Sequence, residues 1–315
     1  MLKENDDIRT IINLWPYYKL GCYGQNINCA SFEQQEVGHG YQVAAVFRDF
    51  APQANLISLD GIYDKYQFIL DNNIILAARS IELKDGQKPT NLNFPDDLTE
   101  HCLLLHAMGN DGARVDNTLV DEPEWFGTAA ISKTDLSRVN YSNMSDDLLI
   151  SAPGTAYYKT KGGTAMPDMG TSYTNYIIMA GLSVFCSFAV YVLGRALTGY
   201  EMVEMIIKFA TPTEAPGFDV KTGHGVFRLP DPDVGEQWLR NLGNQNGGDP
   251  VVEQDIYKTI DDVPVYWQQD IRELIAAGAV NGGTDNSIND QDVNLTASET
   301  KVAVILKRYV DSKIK

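Results

Sequence analysis

The chain has 315 residues, 44% of them hydrophobic, and sets 25 basic against 42 acidic residues for a net charge of −17. That length and apolar content build one large core with something small attached, and the acidic balance excludes nucleic acid and anionic membrane surfaces as partners, because like charges repel. The amino end, residues 1–8, carries charges where an export signal needs an apolar segment, so no signal peptide is visible and cytoplasmic synthesis is expected. Cys22, Cys29, Cys102 and Cys186 lie in apolar surroundings without C-x-x-C spacing and read as buried free thiols. His101, His106 and His224 accompany no plausible ligand set, and the Asp285 to Asp290 loop lacks the glycine and terminal glutamate of a calcium hand. Neither a metal nor an organic cofactor is expected.

Taken in order, residues 7–14 predict a short helix stopped by Trp15-Pro16. Residues 24–33 are apolar, too short for a helix and bounded by glycine, which predicts a buried strand ending in the carboxylate of Glu33. In an open α/β sheet that end faces the ligand crevice. Residues 38–47 suit a helix whose first turn presents His39; 54–59 form a strand, 63–70 a helix, and 73–81 a strand apolar through its centre, as strands covered on both faces are. Residues 97–101 run on into the strand 102–108, which ends in the turn Gly109-Asn110-Asp111-Gly112. Two more strands follow at 128–132 and 147–154. Strands alternating with helices indicate an α/β fold with a doubly wound, mostly parallel sheet.

The most apolar run, 176–197, is long enough for a membrane span. It contains Ser183, Ser187 and Gly194 and ends at Arg195 without flanking basic clusters, so it reads as a helix buried inside the sheet protein. Ser172 stands at its mouth. A hydroxyl there is either a cap or a nucleophile, since the helix amino end supplies free N–H groups and partial positive charge. Beyond Leu229, residues 231–254 are rich in Pro, Gly, Asn and Asp and read as a linker, and 255–315 as a small module of two amphipathic helices. The expected organisation is therefore 1–230, 231–254 and 255–315.

Four separated segments resemble subtilisin-like serine proteases, in that family's order of acid, histidine, asparagine and serine. They are Gly38-His39-Gly40 with Val43-Ala44 and Ala51-Pro52; Ala107 through Asn110 to Gly112; Ser151-Ala152-Pro153-Gly154; and Gly170-Thr171-Ser172. Gly223 to Phe227 is similar to the family's closing glycine-rich strand, so the resemblance spans residues 15–230. It implies that Ser172 attacks the scissile carbonyl, His39 moves the proton, Asn110 donates to the oxyanion and Glu33 serves as the acid. It also relates Arg79, Ser80 and Ile81 to the strand that pairs with an extended substrate backbone. Three features depart from the family: glutamate replaces aspartate, the connection from Glu33 to His39 is short, and Tyr176 stands where proline is general.

The implied activity is a serine endopeptidase acting on peptide or protein, of bacterial or phage type. The rival is a catalytically weakened relative serving as a binding or assembly scaffold, associated with an envelope or virion. An unrelated esterase is disfavoured because no G-x-S-x-G elbow surrounds the serine. Residues 255–315 resemble a single S-layer homology repeat, which implies a cell-wall polymer as a further partner.

Overall fold

Parallel strands cannot be joined by tight turns, so each needs a crossover, and the helices that supply it must cover the faces of the sheet. The computed structural model describes residues 1–80, 98–115, 125–213, 217–245, 256–257 and 295–296, within two units, Met1–Gly243 and Asn244–Lys315. The first unit opens with α1 (Asp6–Ile11) and α2 (Trp15–Lys19), then β1 (Asn28–Ser31), α3 (Gly38–Phe50), β2 (Asn55–Ser58), α4 (Lys65–Asp71) and β3 (Ile74–Arg79). A short α5 (Leu98–His101) precedes β4 (Leu103–Ala107), β5 (Trp125–Ile131) and β6 (Leu148–Pro153). An antiparallel hairpin, β7 (Thr155–Lys159) and β8 (Ala165–Met169), leads into α6 (Thr171–Leu193), followed by α7 (Gly199–Phe209) and α8 (Pro232–Gln245).

The six-stranded sheet has the order β2-β1-β3-β4-β5-β6 and is parallel throughout. All its carboxyl ends therefore lie on one rim. The chain passes from β1 outward to β2 and then back to β3 on β1's other side, which makes the β1/β3 edge the switch point where a crevice opens. The helix α6 supplies the core on one face: its residues from Thr171 to Ala189 are buried, and Ser183 bonds the Cys29 thiol 3.1 Å away. Its apolar length is spent against the sheet and α3. The other face is sealed by α4, whose Tyr66 and Ile69 pack with Ala30, Ala77, Leu104 and Ala129. All four cysteines are buried and free, and burial pushes the Cys29 thiol up to about 12.

Several local expectations change. The first helix ends at Ile11, and Trp15-Pro16 starts α2 instead, since proline is tolerated in a helix's first turn, where its missing N–H costs nothing. Residues 98–101 form a helical turn rather than the start of a strand. At the expected boundary near 230, Leu229, Pro230 and Asp231 are stitched to Ile12, Asn13 and Tyr17 by hydrogen bonds, including Tyr17 Oη to the Pro230 carbonyl at 2.8 Å. What reads as a linker begins with α8, an amphipathic helix whose Trp238 packs against Phe185 and Phe209. In the second unit, β9 (Ile256–Tyr257) and β10 (Leu295–Thr296) pair antiparallel. The two helices expected in this module lie outside the described residues.

Candidate active site

The amino end of α6 is where the sequence motifs meet. Gly170 adopts φ 151° and ψ 162°, a conformation essentially reserved for glycine, and this lets the chain turn from the hairpin into the helix. The N–H groups of a helix's first turn have no intrahelical acceptor. Here Thr171 N–H donates to Asn110 Oδ1 at 2.9 Å and Tyr173 N–H to the Gly170 carbonyl at 3.1 Å. Ser172 sits between them, 5% exposed, and among the described residues neither its hydroxyl nor its N–H bonds another group.

Asn110 is held by the turn after β4. Because its Oδ1 accepts from both the N–H and the hydroxyl of Thr171, the amide orientation is determined, and among the described residues no group accepts from its Nδ2. The turn is fixed in turn by Asn143, whose Oδ1 accepts from the Asp111 and Ala113 N–H groups while its Nδ2 donates to the Met108 carbonyl at 2.9 Å. Ser151 to Gly154 close β6, and the Gly154 carbonyl accepts the Gly170 N–H at 2.8 Å, clamping the chain just before Ser172. The Gly223 to Phe227 segment runs beside β6 as a parallel bridge between Ser151 and Val226.

His39 lies in the first turn of α3, exposed, with its ring edge-on to Tyr173 at 5.9 Å between centroids. Tyr173 is steadied by its phenol, which donates to Asp168 Oδ2 at 2.7 Å, and burial followed by that bond pushes its pKa up. Gly40 matters for the approach: a Cβ there would come within 2.1 Å of the Gln34 carbonyl, so only glycine lets α3 sit against the segment carrying Glu33.

Glu33 reaches the switch point. Its Oε1 accepts the Ser80 N–H at the end of β3, and its Oε2 accepts the phenol of Tyr176, with the Ser31 hydroxyl 3.1 Å away. Its carbonyl receives the Ser58 hydroxyl at 3.1 Å. Serines from the ends of three adjacent strands thus surround this one residue. Among the described residues, no hydrogen bond joins His39 to Glu33 or to Ser172.

The structure therefore gathers Asn110, His39 and Glu33 around α6, through Thr171, Tyr173 and Tyr176 respectively. Arg79 lies elsewhere: it is 6% exposed, its Nε donates to His106 Nδ1 at 2.9 Å, and its guanidinium lies 4.2 Å from the Trp125 ring centroid. Its backbone is paired with His106 in the sheet. Ser80 meets Glu33 through its N–H, and Ile81 lies outside the described residues. The sequence reading missed Ser31, Ser58, Asn143 and Tyr173, whose roles come from contacts across the fold; the departure at Tyr176 was the one visible signal.

No family model matches the sequence, and no curated protein matches it. Solved structures do. A structure described as a lanthipeptide protease aligns with a TM-score of 0.56 at 13% identity, over 76% of this chain and 96% of that one. The prenylagaramide maturation protease PagA aligns at 0.57 and 19% identity, over 72% and 98%. The self-cleaved protease domain of PatA aligns at 0.52 and 16% identity, over 69% and 97%. The chain spans nearly the whole of each of these solved chains, and it shares with them an α/β fold with a parallel central sheet.

Proposed function

We propose that this chain is a serine endopeptidase in which Ser172 is the nucleophile, His39 the general base, Asn110 the oxyanion donor and Glu33 the acid. The observation that carries the reading is the amino end of α6, where an unengaged hydroxyl and an amide with unengaged Nδ2 donors are fixed one residue apart by Thr171. As Ser172 Oγ bonds to a peptide carbonyl carbon, its proton passes to His39, and the charge gathering on the carbonyl oxygen meets Asn110 Nδ2 and the Ser172 N–H. His39 then protonates the leaving amine, and water repeats the sequence to release the acyl group. The proteases that share the fold support a peptide or protein substrate.

A second reading, a binding or assembly scaffold with a weakened site, is favoured by His39 standing exposed without a hydrogen bond to either Glu33 or Ser172. A fluorophosphonate probe separates the two. Rapid labelling of the native protein, absent in Ser172→Ala, is the expected result, and a native protein labelled no faster than the variant supports the scaffold.

A further inference from the structure

The two departures at the acid and at position 176 meet in space. Tyr176 is one helical step of four residues beyond Ser172, so the two side chains share a face of α6. That face carries the nucleophile at its exposed end and, one turn deeper, a fully buried phenol aimed at the carboxylate of Glu33. Ser31 completes a triangle, with its hydroxyl 2.5 Å from the Tyr176 oxygen.

A carboxylate offers about four acceptor sites over its two oxygens. The Tyr176 and Ser31 hydroxyls account for Oε2 and the Ser80 N–H for one site on Oε1, which leaves one site on Oε1 for an imidazole N–H. The glutamate is one methylene longer than aspartate, and proline at 176 would have no donor to restrain it. Burial, with the Glu33 charge beside it, pushes the Tyr176 phenol well above its usual range, so the group is a permanent donor rather than a second anion.

Building on the peptidase reading, we propose that Tyr176 is a positioning residue for the catalytic acid. Its hydroxyl, together with that of Ser31, clamps one oxygen of Glu33 so that the other is left available to orient His39. The longer acid and the tyrosine then form one unit: each residue answers a problem created by the other.

The test is Tyr176→Phe, which keeps the ring in the core and removes only the donor. The expected result in a protein that melts as a folded unit is a fall in kcat of about 10- to 100-fold, as for a hydrogen bond to a charged group, with KM unchanged. The acid limb of the kcat/KM profile moves to higher pH, because a carboxylate deprived of a donor holds a proton more readily. In a Glu33→Gln background the same substitution adds little.

A folded Tyr176→Phe protein with native kcat and an unmoved pH profile overturns the proposal while leaving the peptidase reading intact. Multiplicative losses in the double variant do the same. If Tyr176→Phe fails to fold, Ser31→Ala carries the same measurement, with a smaller shift of the limb in the same direction expected and an unmoved limb counting against the hydroxyl clamp on Glu33. A native protein that neither cleaves peptides nor labels with the fluorophosphonate overturns the peptidase reading, and this proposal with it.

Discussion

Two corners of the candidate site are built in different ways. The serine corner is almost entirely local: Gly170, Thr171 and Ser172 are consecutive, and one turn asparagine caps the helix they open. The acid corner is assembled from four elements, with Ser31 from β1, Ser58 from β2, Ser80 following β3, and Tyr176 from α6 converging on Glu33. A nucleophile at a helix mouth needs only the backbone dipoles already there. A carboxylate held at a switch point needs donors recruited from across the sheet, so its environment can be rebuilt when the acid changes length. This difference explains how the motif around Ser172 stays recognisable while the acid side diverges.

Substitutions test that contrast at different strengths. The largest effect is expected at the reacting groups: Ser172→Ala and His39→Ala each lower kcat by about 10⁶-fold, and the double variant loses hardly more, because the two act as a unit. Steady-state hydrolysis of a fluorogenic peptide measures this, and losses that multiply would show two independent contributions. Next comes Glu33→Gln, which preserves size but removes the charge, with an expected fall of about 10⁴-fold. If turnover stays near native in the folded variant, Glu33 holds α6 to the strand ends without serving the histidine, and the acid corner is purely structural.

Asn110→Ala tests the serine corner more gently. A loss of about 10²–10³ in kcat with little change in KM is expected for a donor that serves the transition state, and a change mainly in KM would reassign the amide to substrate binding. The same truncation uncaps Thr171, at a cost of about 1 kcal/mol in stability, which chemical denaturation measures separately.

The smallest effect concerns pH and separates fold from chemistry. His106 is driven well below the usual histidine range by burial and by the Arg79 charge, and burial brings His224 down to about 4. The unfolded chain takes up protons near pH 6.5 while the folded one resists, so stability rises with pH where the unfolded state binds more protons. The contribution is therefore complete above pH 6.5 and drains away as pH falls toward 4, by roughly 1 kcal/mol per histidine at pH 5.5. Denaturant melts across this window check it, and His224→Gln should flatten the slope. An unaltered slope in that variant would assign the acid sensitivity to other groups, including those of the acid corner.

The route from sequence to fold was clearest where chemistry is local. The apolar run after Ser172 is buried throughout its first part because no surface could solvate it, and β3 is apolar because both its faces are covered. Glycine at 40 and 170 marked backbone positions where side chains do not fit. Composition served less well at the carboxyl side, where Pro, Gly, Asn and Asp across 231–254 suggested a linker. There Pro232 and Asp233 open α8, and Trp238, Leu239 and Leu242 on it carry the packing.

By itself the sequence determined the alternation of strands and helices, the burial of α6, and the choice of Asn110, His39 and Ser172 as candidates, because each depends on periodicity or on a short motif. Only the tertiary structure decided that Arg79 is spent on Trp125 and His106, and that Glu33 is met by Tyr176 and by serines from neighbouring strand ends. The physical reason is range. Gly170, Thr171 and Ser172 are consecutive and can be read as a motif, whereas the partners of a buried charge are whichever donors the folded sheet brings to it, and the separation of 143 positions from Glu33 to Tyr176 carries no local sign of that meeting.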